Sequence, residues 1–192
     1  PEPSSGPLRI LAVGRLVEKK GFAHLIDALA LAREAGIDFD AQIIGEGELA
    51  GELAQRIEDR GMSDSCRLLG ARTQNEVRSL LENSDVFVAP CVPGADGNID
   101  GLPTVILESM AVGTPVIATF VSGIPEVVIN GRTGVLVPPA SASALAEALG
   151  DVASGRVPAR DLARGARVLI EETYDSHVQA ARLASLEGEE ER

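Results

Sequence analysis

The chain has 192 residues, 45% of them hydrophobic and 24% charged, with a formal net charge of −12. That size and balance suit one globular domain burying roughly 70% of its unfolded surface, and they exclude a disordered chain. The acidic sum argues against a nucleic-acid-binding surface, which needs a net basic face, but it leaves room for a small cationic pocket.

Residues 1–7 (PEPSSGP) lack the basic region and apolar stretch of a signal peptide and read as a linker. Leu8–Val13 is an apolar run that predicts a first strand. Residues 21–35 place Phe22, Leu25, Ile26 and Leu29 on one helical face. A second strand is expected over residues 41–44 and a helix over 48–60. A short third strand is expected over 67–69, then a helix over 75–82 with Val77, Leu80 and Leu81 inward. Val86–Ala89 predicts a fourth strand, followed by a Gly/Pro-rich loop over residues 90–101. A helix over 103–112, a strand over 116–118 and a strand over Val135–Val137 come next. Helices from Ser141 onward close the chain, with an acidic tail over 187–192.

Strand–helix alternation with short apolar strands predicts an α/β fold: a Rossmann-like parallel sheet of about six strands with helices on both faces. Ligands of such sheets bind at the carboxyl ends of the strands, so the loops after strands hold the candidates. The first loop reads Gly14-Arg15-Leu16-Val17-Glu18-Lys19-Lys20-Gly21. Cations beside a helix start make a diphosphate cradle; a solvated charged turn explains the same residues. The second, Gly45-Glu46-Gly47-Glu48-Leu49-Ala50-Gly51, matches G-x-G-x-x-x-G between a strand and a helix. Two glutamates beside a pyrophosphate, and glycines in the second unit rather than the first, weigh against a dinucleotide site.

The third loop carries Asp100 just before a helix that opens with Pro103, which suits a first turn. Thr104 and Glu108 share a helical face, with Val105, Ile106 and Met110 expected as apolar surface around it. A carboxylate there is either a satisfied core group or a ligand contact, and carboxylates accept paired hydroxyls from sugars. The fourth loop, Ser122-Gly123-Ile124-Pro125-Glu126, reads as a further cleft wall or as an ordinary connection. Cys66 and Cys91 form no CxxC pair, and only His24 and His177 occur, so a metal site is not supported. Cys66 is expected as a small buried hydrophobe and Cys91 at the cleft edge. Aromatics are 3%, too few for a stacking platform, and no apolar run approaches the ~20 residues of a membrane span.

The ordered segments GRL-x-x-KKG, IIGEGEL, RLLG, SDVFVAPC, DGLPTVILESMAVGTPVIAT, SGIPEVV and GRTGVLVPP resemble the nucleotide-sugar-binding domain of glycosyltransferase family 4, the retaining GT-B enzymes. The resemblance covers about residues 8–153. It implies that residues 8–186 are the donor-binding C-terminal half of a two-domain enzyme whose acceptor-binding half is absent. Arg15 and Lys20 match the pair that holds the donor diphosphate, after Gly14. Glu108 matches the acid that binds the ribose. Asp100 matches the acid that contacts the donor sugar, with Asp where the family has Glu. Gly101, Leu102, Pro103 and Thr104 match the segment whose backbone approaches the sugar and phosphates, although Pro103 has no N–H to offer. Gly45, Gly47 and Leu69 match the nucleobase pocket. Arg15, Lys20 and Asp100 are the implied catalytic group.

The resemblance implies a UDP-, GDP- or ADP-sugar as donor, no cofactor and no metal. The departing diphosphate is then stabilised by cations and helix N–H groups. It also implies a cytoplasmic enzyme, with any membrane association and the acceptor belonging to the other half. Alternatives are a non-catalytic nucleotide-binding module, a sugar-nucleotide epimerase or phosphorylase of the same architecture, and, more remotely, an NAD oxidoreductase.

Overall fold

The computed structural model describes residues 6–94 and 101–174. The order is β1 (Leu8–Val13), α1 (Phe22–Glu34), β2 (Phe39–Ile44), α2 (Ala50–Asp59), β3 (Cys66–Leu68) and α3 (Gln74–Glu82). There follow β4 (Val86–Ala89), α4 (Thr104–Val112), β5 (Val116–Thr119), α5 (Ile124–Val127), β6 (Val135–Val137), α6 (Ala142–Ala153) and α7 (Ala159–Leu169). A short 3-10 turn, Glu18–Lys20, precedes α1, and α7 runs into a π-helical turn, Ile170–Tyr174.

The six strands form one sheet in the order β3-β2-β1-β4-β5-β6, and every pairing is parallel. β1 pairs with β2 along its whole length, from Leu8↔Phe39 to Val13↔Ile44, and with β4 at Ile10↔Val86 and Leu11↔Phe87. Both faces are covered, so the strands are apolar without alternation while their side chains still alternate in direction. Ile10, Ala12, Val86 and Val88 pack with Leu25, Ile26 and Leu29 of α1, Leu53 of α2 and Leu149 of α6. Leu11, Phe87, Ala89 and Val116 turn the other way, onto Leu81 of α3, Ile106 and Met110 of α4, Val127 of α5 and Ala166 of α7.

The predicted sheet is present, with shifted edges. β2 starts two residues earlier than expected because Phe39 is buried opposite Leu8. β3 begins and ends one residue earlier. Buried Cys66 pairs with Ala41, and Leu69 passes into the loop while its N–H still donates to the Ile43 carbonyl. α1 starts at Phe22 because Gly21, at φ +67°, is the left-handed cap of the preceding 3-10 turn. Burial pushes the Cys66 thiol up to about 12, aided by Asp40, so it is an inert core group as expected.

Two hydroxyls join the elements that flank the cleft. Thr114 Oγ1 donates to the Leu81 carbonyl at 2.7 Å, tying the end of α4 to the end of α3. Thr119 Oγ1 donates to the Cys91 carbonyl at 2.5 Å, holding the exit of β4 against β5. Both hydroxyls are buried, so each bond also removes the cost of an unpaired polar group.

Candidate functional site

The sheet order reverses direction between β1 and β4. In parallel α/β sheets the crevice forms there, at the carboxyl ends of the strands, because the following connections leave to opposite faces. A cavity of about 280 Å³ lies at this place. It is lined by Val13, Gly14 and Lys20 after β1, by Gln74 and Val77 of α3, and by Pro103, Thr104, Val105 and Glu108 at the start of α4.

The loop after β1 is held by its neighbours. Gly14 N–H donates to the Ile44 carbonyl and Leu16 N–H to the Glu46 carbonyl, so the loops after β1 and β2 are stitched together. This close approach requires the glycines of the second loop. A Cβ on Gly45, which sits at φ +143°, would lie 1.8 Å from the Gly14 carbonyl oxygen, and one on Gly47 would lie 2.4 Å from that of Leu16. Gly21 is pressed against the Pro90 carbonyl, and Val92 N–H donates to the Lys19 carbonyl. The 3-10 turn is thereby clamped between β1 and the exit of β4. The Lys20 side chain lies along Gly14, with Cδ and Cε 3.3 Å from where a Cβ of that glycine would sit.

α4 supplies the opposite wall. Thr104 and Glu108 face the cavity one turn apart, as their spacing predicted. Val105 joins them, but Ile106 and Met110 do not: both are fully buried on the core side of the helix. The expectation of apolar surface around Glu108 thus holds for Val105 alone of the three. Pro103 stands at the N-cap with no side-chain cap, so the first turn of α4 keeps backbone donors for a ligand anion. Glu108 is half-buried, and its carboxylate has no hydrogen-bond or ion-pair partner among the described residues. The exposed Arg15 guanidinium likewise has no carboxylate partner among them.

The structure brings Gly14, Lys20, Pro103, Thr104 and Glu108 together around one cavity. Arg15 adjoins it in the chain without lining it. Gly45, Gly47, Leu69, Gly101 and Leu102 do not line it either. Leu69 and Gly70 leave β3 beside the second loop, with Gly45 N–H donating to the Gly70 carbonyl, and Leu102 packs near Gly123. Cys91 is buried and also stands outside the lining. Asp100 and His177 lie outside the described residues. Val13 and Gln74 are lining residues that the sequence reading passed over. The signal for Gln74 was available: Thr73-x-x-Glu76 is a capping box, which sets the first helical residue at 74 rather than 75.

A second, larger groove of about 1180 Å³ lies at the other edge of the sheet, beside Leu8, Asp38, Asp85 and Pro115 at the amino ends of the strands. Size alone would favour it, whereas the topology and the candidate polar residues favour the carboxyl edge. Among the described residues, no group of three or more His, Cys, Asp or Glu is placed to hold a metal ion.

Sequence comparison adds a decisive observation: the family Glycosyl transferases group 1 matches residues 2–169. The chain belongs to the group 1 glycosyl transferases. It is 36% identical over 180 residues to the amylovoran biosynthesis glycosyltransferase AmsK of Erwinia amylovora, a match covering 94% of this chain and 44% of that protein. The chain spans about half the length of the curated relatives it matches. Among solved structures, Anabaena Alr3699/HepE in complex with UDP-glucose superposes with a TM-score of 0.80 at 26% identity, covering 93% of this chain and 49% of that one. The C-terminal domain of the group 1 glycosyl transferase LpcC from Francisella tularensis superposes at 0.78 with 25% identity, covering 89% of this chain and 88% of that one. No helix among the described residues is long and apolar enough to cross a membrane.

Proposed function

We propose that this chain is the donor-binding, C-terminal half of a retaining GT-B glycosyltransferase. In this reading, the whole protein transfers a sugar from a nucleoside-diphosphate sugar to an acceptor hydroxyl held by the other half. The observation that carries the reading is the meeting of Lys20, Thr104 and Glu108 around one cavity at the topological switch point. The UDP-glucose complex of the Anabaena relative supports it.

Chemistry follows from the donor set. The Lys20 ammonium and the uncapped first turn of α4 oppose the charge that grows on the departing diphosphate, and Arg15, next to Gly14 in the chain, adds a second cation. This is work that a divalent cation does in other transferases, so no metal is required. The Glu108 carboxylate accepts from ribose hydroxyls, which supply the partners it lacks among the described residues. Asp100 contacts hydroxyls of the transferred sugar, by resemblance alone. The reaction takes place on the cytoplasmic side, and any membrane attachment lies with the other half.

Calorimetric titration with UDP and GDP tests the reading. One of them binds, and Lys20→Ala weakens it roughly 10- to 100-fold, as expected for a charge-assisted bond; Arg15→Ala weakens it as well. Absence of binding by both at millimolar concentration, or unchanged affinity in both variants, overturns the donor site. The isolated chain transfers no sugar, and transfer by it would refute the division of labour between the halves.

A further inference from the structure

We propose that the side-chain amide of Gln74 reads the nucleobase and sets which nucleoside diphosphate the chain prefers. This rests on the donor-site reading and adds to it a side chain that selects among bases.

The placement follows from the cavity and the strand order. Lys20 and the start of α4 stand at the β1–β4 switch point, where the diphosphate is held. Gln74 and Val77 form the wall contributed by α3, which follows β3 at the far side of β2. A nucleotide with its diphosphate at Lys20 and its ribose at Glu108 extends its base toward that wall.

The Gln74 backbone is held from two sides, and its exposed side chain stands at the cavity wall. Thr73 Oγ1 accepts from Glu76 N–H, and the Glu76 carboxylate accepts from Thr73 N–H, so the capping box sets the chain direction one residue before Gln74. Val77, one turn on, is buried while lining the same cavity, which pins that face of α3 inward. Gln42 and Gln55 each donate to a nearby aspartate, whereas the Gln74 amide has no hydrogen-bond partner among the described residues.

The amide offers an N–H₂ donor and a carbonyl acceptor side by side. That pair complements a base edge on which an acceptor and a donor are adjacent, and bases differ in the order of these groups. A side-chain amide at this wall can favour one base, and Gln74→Glu replaces its donor with a second acceptor.

The test is calorimetric titration of the chain, Gln74→Ala and Gln74→Glu with UDP, GDP, ADP and CDP, alongside thermal melts. Wild type is expected to prefer one nucleotide by about tenfold or more over the next, the scale of one well-made hydrogen bond. Gln74→Ala weakens the preferred nucleotide about tenfold and narrows the preference to within about twofold, with little change in melting temperature. Gln74→Glu changes the ranking rather than only the scale. If the nucleotides bind and Lys20→Ala weakens them, but neither Gln74 variant alters the ranking or the ratios, this inference fails and the donor site stands. A wild type that binds the four nucleotides equally also overturns it. If none binds, the donor-site reading fails first.

Discussion

Glu108 is half-buried beside Thr104 with no partner among the described residues. A structural carboxylate in that setting is stabilised by a donor, and deleting it costs stability. A carboxylate kept for a ligand carries a desolvation cost that its removal relieves, as at other sites where function opposes stability. The two roles therefore predict opposite signs for one substitution. Glu108→Gln retains one acceptor and loses the charge; Glu108→Ala loses both acceptor oxygens. Hydrogen bonds to a charged group contribute about 1.5–3 kcal/mol, or roughly 10- to 100-fold in affinity. Glu108→Gln is expected near the lower figure and Glu108→Ala near the upper, read by calorimetry with UDP or GDP. Melting temperatures in both variants should hold or rise. A variant that binds within twofold of wild type while melting several degrees lower would refute the reasoning and make Glu108 a packing residue.

Three further outcomes concern the frame around the site. Gly45→Ala drives a Cβ into the Gly14 carbonyl at 1.8 Å and strains a positive φ; urea denaturation should show a loss on the order of 3 kcal/mol, and wild-type stability would contradict the stitched-loop account. Thr114→Val removes the buried 2.7 Å hydroxyl bond to the Leu81 carbonyl, which keeps the Ser84 N–H at 3.1 Å. The expected cost is about 0.5–1.5 kcal/mol, read the same way, and unchanged stability would contradict it. Cys66 ionises only near 12 when folded and at about 8.5 when unfolded. Its contribution to stability is therefore intact below about pH 8.5 and is lost as pH rises toward 12. Cys66→Ala should flatten the fall in stability across that window, and an unchanged slope would show that the thiol is accessible.

Much of the sheet was legible because a doubly covered parallel strand is a short apolar run, and Leu8–Val13, Val86–Ala89 and Val135–Val137 lie where those runs predicted. The edges were less so. Phe39 joins β2 through its pairing with Leu8, a tertiary contact that local pattern does not encode. Within the site, the facing of Thr104 and Glu108 followed from helical spacing, whereas the inward burial of Ile106 and Met110 depended on where α3 packs. The glycines of the second loop were conspicuous in sequence, but their need comes from Gly14 and Leu16, far away in the chain. Gln74 went unnoticed because one residue of error in a helix start moved it out of the wall.

The central claim is that a nucleoside diphosphate binds at the carboxyl edge between β1 and β4. Backbone amide NMR during titration with UDP and GDP tests it most directly, because the molecule also has a larger groove at the opposite edge. The account predicts shifts concentrated at Gly14, Lys20, Gln74, Thr104, Val105 and Glu108. Shifts centred instead on Asp38, Asp85 and Gly113, or no saturable shifts at either edge, would contradict it.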